Sequence, residues 1–305
     1  MATIDYAGLG NLRLAAMIEN EVRAELADMA SIRNSGALMF AGDVAGIGSK
    51  VIRLRYADWG AKTPFLSTAD GVDRATSALT PSTVDLTVGR SALRYDITDL
   101  AAMTGLGIDV DPFSLAAQMA KSAEARINAV ITATFASAAT SKGVTNTVLD
   151  LDTFYEAMFA LEAGSNNGEF YCILAPKQLS DLRDSLRSES NNAIGFMGAT
   201  QEMLKAKGQG YAGNFAGVEI FKSSYVETSG PDKVGAMMSR GGVAYAIGTP
   251  RPLAGAVTEI RPANVPVSVA FQRDESKGIT EVVGNLYCGA SLTEQARIVK
   301  IISKA

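Results

Sequence analysis

The sequence predicts an α+β protein: one long helix in its first half, alternating helices and strands in its middle, and strands towards its end. Three observations carry this. Apolar residues recur at helical spacing from Ala116 to Ile131; FYCILAP, Phe170 to Pro176, is a short apolar run between a turn and a second helical pattern; and from Gly255 onward runs such as VPVSVAF and ITEVVGNLYCG are β-rich. With 305 residues the chain can bury a large core, in one elaborate domain or two ordinary ones. A composition of 47% hydrophobic and 20% charged residues belongs to a folded chain, not a disordered one.

Taken in order, the first ten residues lack periodicity and read as an arm. Ala15, Ile18, Val22, Leu26 and Met29 then predict a helix over Asn11 to Ala30. In VIRLRY, Ile52, Leu54 and Tyr56 alternate with Val51, Arg53 and Arg55, as in a half-exposed strand; Val84, Leu86 and Val88 alternate with Thr83, Asp85 and Thr87 in a second. About 25 polar residues separate the two, a length that is uncommon in compact domains unless functional. They hold the single tryptophan, Trp59, together with Lys62, Phe65 and Leu66. Apolar side chains on a polar arm suggest burial against a partner.

A short helix is expected from Thr98 or Asp99. Asp111 and Pro112 then form a helix start, and Ala116, Met119, Ala120, Ala123, Ile127, Val130 and Ile131 mark one stripe, with Lys121, Glu124 and Asn128 off it. This helix should run to about Ala139, roughly 40 Å at 1.5 Å per residue. Asp152 is placed to cap a helix carrying Phe154, Met158 and Leu161. Gly164–Gly168 makes a turn, Phe170 onward a strand, and Pro176 opens a helix through Leu179, Leu182 and Leu186. A polar loop follows, then Gly210, Gly213 and Gly217 before VEIF, and strands near Val234–Met238 and Val243–Ile247. Pro262 and Pro266 limit the strands beside them.

The chemistry of the chain narrows its function. There is no histidine, which removes histidine-based triads, metal sites and general bases. Cys172 and Cys288 each sit in an apolar run and read as reduced core residues. The glycines at 210, 213 and 217 precede a strand rather than opening a helix, and no Gly-Lys-Ser/Thr occurs, so a phosphate cradle is disfavoured. The pairs Asp109/Asp111 and Asp150/Asp152 precede helices and read as caps. No catalytic residue, cofactor or metal is expected. A net charge of −4 gives no basic footprint for reading nucleic acid, and no apolar run approaches a membrane span.

The order of these elements resembles the major capsid protein of tailed bacteriophages, the Hong Kong ninety-seven type fold. NNGEFYCILAPKQLSDLRD, GNFAGVEIFKSS and GAMMSRGGVAYAIGTPR are similar to that family's turn–strand–proline–helix and glycine–strand segments. The resemblance implies an N-terminal arm and helix over 1–45, an extended two-stranded loop over 46–92 and a peripheral domain with a long spine helix over 93–144. It implies an axial domain over 145–252 and C-terminal strands returning to the peripheral domain over 253–305. It implies a virion subunit, assembled in the host cytoplasm, that tiles an icosahedral shell as hexamers and pentamers with identical copies and encloses double-stranded DNA without membrane contact. Scaffolding, portal and decoration proteins are the further partners it suggests. The short N-terminal arm predicts either a separate scaffolding protein or none.

Under that resemblance Trp59, Lys62, Phe65, Leu66, Arg53, Arg55 and Glu124 are the expected inter-subunit contacts, and Gly210, Gly213 and Gly217 are hinges of the axial domain. Some relatives cross-link a loop lysine to a neighbour's asparagine; Lys62 with Asn264 or Asn285 would be the pair here, although the loop holds no glutamate to assist. An encapsulin-like compartment shell is the alternative within the same fold, and an α/β nucleotide-binding enzyme the alternative of another class.

Overall fold

The computed structural model describes residues 32–33, 35–44, 49–57, 70, 81–99, 112–164, 168–188, 196–208, 210–248, 259–260 and 267–305. In chain order the elements are β1 (Leu38–Asp43), β2 (Val51–Ala57), β3 (Pro81–Thr87), β4 (Gly89–Thr98), α1 (Pro112–Ala133), β5 (Thr140–Lys142), α2 (Leu151–Ala163) and β6 (Phe170–Leu174). Then come α3 (Pro176–Ser188), β7 (Met197–Gly198), α4 (Gln201–Lys207), β8 (Tyr211–Phe215), β9 (Val218–Lys222) and β10 (Thr228–Ser229). The chain closes with β11 (Asp232–Ser239), β12 (Val243–Ile247), β13 (Glu259–Ile260), β14 (Val267–Asp274), β15 (Ile279–Leu292) and β16 (Ile298–Lys304). The expected helix over Asn11 to Ala30, the start at Asp111 and the strand limits at Pro262 and Pro266 lie outside the described residues.

Three sheets organise these strands. An eight-stranded sheet runs β5-β16-β11-β6-β9-β8-β7, with β10 on β11. A six-stranded sheet is built around β15, which pairs with β4 over residues 279–288, with β14 over 279–286 and with β12 over 288–292. Cys288 faces Ile247 on one side and Gly89 on the other, so β12 and β14 lie end to end along one edge of β15 and β4 runs along the opposite edge. β1 extends this sheet parallel to β12. β2 and β3 form a separate antiparallel ribbon.

Sheet membership cuts across the segment boundaries expected from sequence. β12, in the 145–252 segment, belongs to the six-stranded sheet, while β5 and the final strand β16 join the eight-stranded one. The fully buried Gln178 helps explain the second case. Its amide nitrogen donates to Ser303 Oγ at 2.9 Å and Lys233 O at 3.1 Å, and its oxygen accepts from Ala175 N at 3.0 Å, tying the start of α3 to β11 and β16.

α1 buries Met119, Ala123, Ile127 and Ile131 on the stripe the sequence marked. They join a core with Val282, Leu286 and Cys288 of β15. The helix is shorter than expected: 22 residues, then a tighter turn over Thr134–Ser137. Hydroxyls explain the change, because Thr134 Oγ1 donates to Ile131 O at 2.7 Å and Ser137 Oγ to Thr134 O at 2.6 Å, competing with the helical ladder. Asp150, not Asp152, caps α2 by accepting from Thr153 N at 2.8 Å; Asp152 sits in the exposed first turn. A second core packs Phe154, Leu161, Leu182 and Phe215 between α2, α3 and the eight-stranded sheet. Phe154 and Phe215 meet edge-on at 5.5 Å, and burying one such ring stabilises by roughly 1.5–3 kcal/mol. Both cysteines are free and buried, and burial pushes their thiol pKa values up.

Candidate inter-subunit surface

The two faces of the ribbon differ because its residues alternate. Ile52 opposes Leu86, Arg53 opposes Asp85 and Leu54 opposes Val84, so each directly opposed pair shares a face. Ile52, Leu54 and Leu86 pack onto Ala244, Ala246 and Tyr287 of the six-stranded sheet. Arg53, Arg55, Thr83, Asp85 and Thr87 form the exposed face. There the Arg53 guanidinium donates from Nε and Nη2 to Asp85 at 2.7 and 2.9 Å. That hydrogen-bonded pair holds the Asp85 carboxyl below its ordinary range. Arg55 has no ion-pair partner among the described residues. Trp59, Lys62, Phe65 and Leu66, in the connection between the two strands, lie outside the described residues.

Glu124 is placed differently from its expected role. It is only 5% exposed, and its carboxylate accepts from Arg33 Nη2 and from Asn128 Nδ2, each at 2.9 Å. Burial raises its pKa, with Arg33 pulling it back. The sequence put Glu124 and Asn128 off the apolar stripe, which is correct, but the segment before β1 covers that flank of α1. Glu124 is thus an internal tie of the subunit, with little surface exposed. Nothing in the sequence pairs it with Arg33, 91 residues away.

Along the outer edge of the six-stranded sheet, β4 displays arginines that are tied to β15. Arg90 donates to Asn285 Oδ1 from Nε at 3.0 Å and from Nη2 at 2.7 Å. Arg94 reaches Asp96 and Glu281 at 2.6 Å each. Asn285, one of two asparagines considered for a cross-link, is 6% exposed and engaged in this way. It is therefore a poor target for an incoming lysine; Asn264 lies outside the described residues. Between α1 and the β4–β15 ladder is a recess of about 220 Å³, walled by Leu93, Met119, Ala123 and Leu286, with Arg126 donating to Ser91 Oγ at 3.1 Å on its rim.

The three glycines expected as hinges fall in and around a hairpin. Two strands are present where the sequence suggested one: β8 and β9 form a hairpin whose two-residue loop is Ala216–Gly217. Both loop residues have positive φ, +50° and +81°, the signature of a type I′ turn. Gly213 sits at the irregularity in the β8 register, and Gly210 precedes β8. The alternation in YAGNF was the signal that could have revealed β8. Also unanticipated are the aromatic side chains most exposed among the described residues: Phe159 on α2, and Phe40 on the edge strand β1, which lies 5.3 Å from the Tyr245 ring.

Comparison with known proteins gives the arrangement a context. No curated protein sequence matches the chain. Among solved structures, a chain of Mycobacterium phage Che8 superposes with a TM-score of 0.58 at 14% identity, covering 88% of this chain and 90% of that one. The capsid of cyanophage P-SCSP1u gives 0.59 at 11% identity over 87% and 86%. The SrpI encapsulin complex from Synechococcus elongatus gives 0.58 at 11% identity over 86% and 84%. At such identities these likenesses establish the fold. The phage capsid protein family matches residues 80–301, which is well over half of the sequence. The chain belongs to the phage capsid protein family, and is a structural subunit of a capsid shell.

Proposed function

We propose that this chain assembles with identical copies, as hexamers and pentamers, into a closed icosahedral shell around double-stranded DNA in the host cytoplasm. The observation that carries this reading is the β2–β3 ribbon. It has an apolar face seated on its own subunit and a polar face turned away, and the connection beyond it holds Trp59, Lys62, Phe65 and Leu66. These four, with the exposed Arg53 and Arg55, are the proposed contacts to the next subunit. The ribbon of one copy would lie over α1 and the six-stranded sheet of its neighbour.

In this scheme residues 93–144 with β14 and β15 form the peripheral part, and 145–252 without β12 form the axial part, to which β16 also contributes. Scaffolding, portal and decoration proteins are the partners such a shell would use. The near-neutral charge of the chain suits enclosure of DNA without sequence readout. The test is negative-stain microscopy of the purified protein. Closed shells or capsomer rings support the proposal; a monomer that stays monomeric at high concentration, alone and with its phage partners, overturns it.

A second reading has one observation in its favour, since the encapsulin subunit shares the fold as closely as the phage chains do. Cargo separates the two. Nuclease-protected DNA inside purified particles supports the virion shell, and a co-purifying enzyme with no DNA supports the compartment.

A further inference from the structure

We infer that Gly289, with Gly248 beside it, sets the angle at which the β2–β3 ribbon leaves the subunit, and so determines which shell geometry the subunit can enter. The inference rests on the reading of the ribbon as an assembly element.

β3 belongs to the ribbon, and β4 lies in the plane of the six-stranded sheet on the outer edge of β15. Only Val88 separates them. The chain therefore changes layers within one residue, and does so directly over β15. A Cβ on Gly289 would overlap the Thr87 carbonyl oxygen and stand 2.9 Å from the Thr87 carbonyl carbon and 3.1 Å from Val88 Cα. These are backbone atoms, so no rotamer change relieves the clash. Gly289 is not at positive φ, and its requirement for glycine comes entirely from this crossing.

The neighbouring residues complete a low seat. Ala246 pairs with Gly289, and Ala244 and Ala246 of β12, with Gly248 just after it, recur at every second position. A Cβ on Gly248 would approach Val88 Cγ1 to 3.1 Å and Val44 Cγ2 to 3.0 Å. Into this seat fit Leu86, which is fully buried, and Val88, which is 8% exposed. Val88 N donates to Lys50 O at 2.9 Å and closes the ribbon at its base. The small core of Leu86, Val88, Ala244 and Ala246 is separate from the two large cores. It seats the ribbon, with Ala41 and Val44 packed beside it. A wedge at Gly289 would lift the base of a lever, so a displacement of under an ångström there grows along the length of the ribbon.

Gly235 supplies the control. It is also crowded, though less tightly, since a Cβ there would stand 2.7 Å from Gln178 Oε1 and 2.9 Å from Ile173 O, but it lies inside the eight-stranded sheet and its nearest atoms belong to no part of the ribbon. The experiment compares wild type, Gly289→Ala and Gly235→Ala by three readouts: the thermal midpoint of the unassembled subunit, its rate of tryptic cleavage at the exposed ribbon residue Arg55, and the diameter distribution of assembled particles. Gly289→Ala is expected to raise ribbon cleavage about tenfold, as local opening of a lifted element would, and to give few or mis-sized shells. Gly235→Ala is expected to lower the thermal midpoint while leaving ribbon cleavage and particle diameter as in wild type. Wild-type cleavage and diameter in Gly289→Ala overturn the inference, and so do changes in Gly235→Ala matching those of Gly289→Ala. If wild type itself forms no particles, the shell reading fails on that arm, while the cleavage arm still decides whether Gly289 positions the ribbon.

Discussion

Two carboxylates show how position sets charge in this subunit. Asp274 opens the tight turn between β14 and β15, where Ser276 and then Lys277 donate to it and lower its pKa to about 2. A depressed folded value means that its contribution to stability is present above the ordinary carboxylate range and is lost as pH falls towards about 2. Glu124 runs the other way. Burial raises its value, so its contribution is full below the ordinary range and fades as pH rises through the raised value. Carboxyl titration by NMR is expected to separate the two, with Asp274 protonating below the usual carboxylate range and Glu124 protonating above it. Reversal of that order would remove both assignments. Glu124→Ala takes the carboxylate from a mostly buried Arg33, which is expected to cost about 3 kcal/mol in chemical denaturation.

At the scale of elements, the turn between β8 and β9 carries a residue its geometry disfavours. Ala216 holds φ of +50° with a Cβ that this region penalises, while the following Gly217 does not pay that penalty. Asn-Gly is the preferred pair for a type I′ loop. Ala216→Asn is therefore expected to stabilise the subunit by about 0.5–1 kcal/mol, measured as a raised denaturation midpoint with unchanged slope. A neutral or negative change would mean that the loop adopts another turn. Much of this level was legible in the sequence. The alternation in VIRLRY, the stripe on α1 and the Pro176 helix start all depend on local periodicity, which a sequence displays. What was not legible depends on distant partners. β1 is a strand only because β12 lies beside it, and β16 joins the eight-stranded sheet because β11 and β5 offer edges. The seat under the ribbon was hidden for the same reason: AYAIG reads as an ordinary strand until Leu86 is placed over it.

For the molecule as a whole, the ribbon should be separable from the fold that bears it. The large cores draw on α1, α2, α3 and the two larger sheets, and among the described residues none of theirs lies in β2 or β3. Deletion of Gly60 to Ala78 is accordingly expected to leave a folded subunit, with a near-unchanged circular dichroism spectrum, that forms no shells. Shells of normal yield from the deletion would show that the assembly role lies elsewhere, and an unfolded chain would show that the connection contributes to the core. The capsid family was legible from the order of elements across the whole chain. The tie of Glu124 to Arg33 was not, because its partner lies 91 residues away in the sequence.

β15 has a consequence for how the subunit bears load. Ten residue pairs join it to β4, from Thr98–Ile279 to Gly89–Cys288, and the ribbon is continuous with β4 at Val88. Tension drawn along the ribbon in the direction of β4 is carried by this ladder in shear, so its hydrogen bonds resist together instead of parting one at a time. On the far edge of β15, β14 and β12 take up that tension in tandem, one at each end. The strand thus acts as a tie rod, passing a pull received at the subunit boundary into both ends of its own sheet.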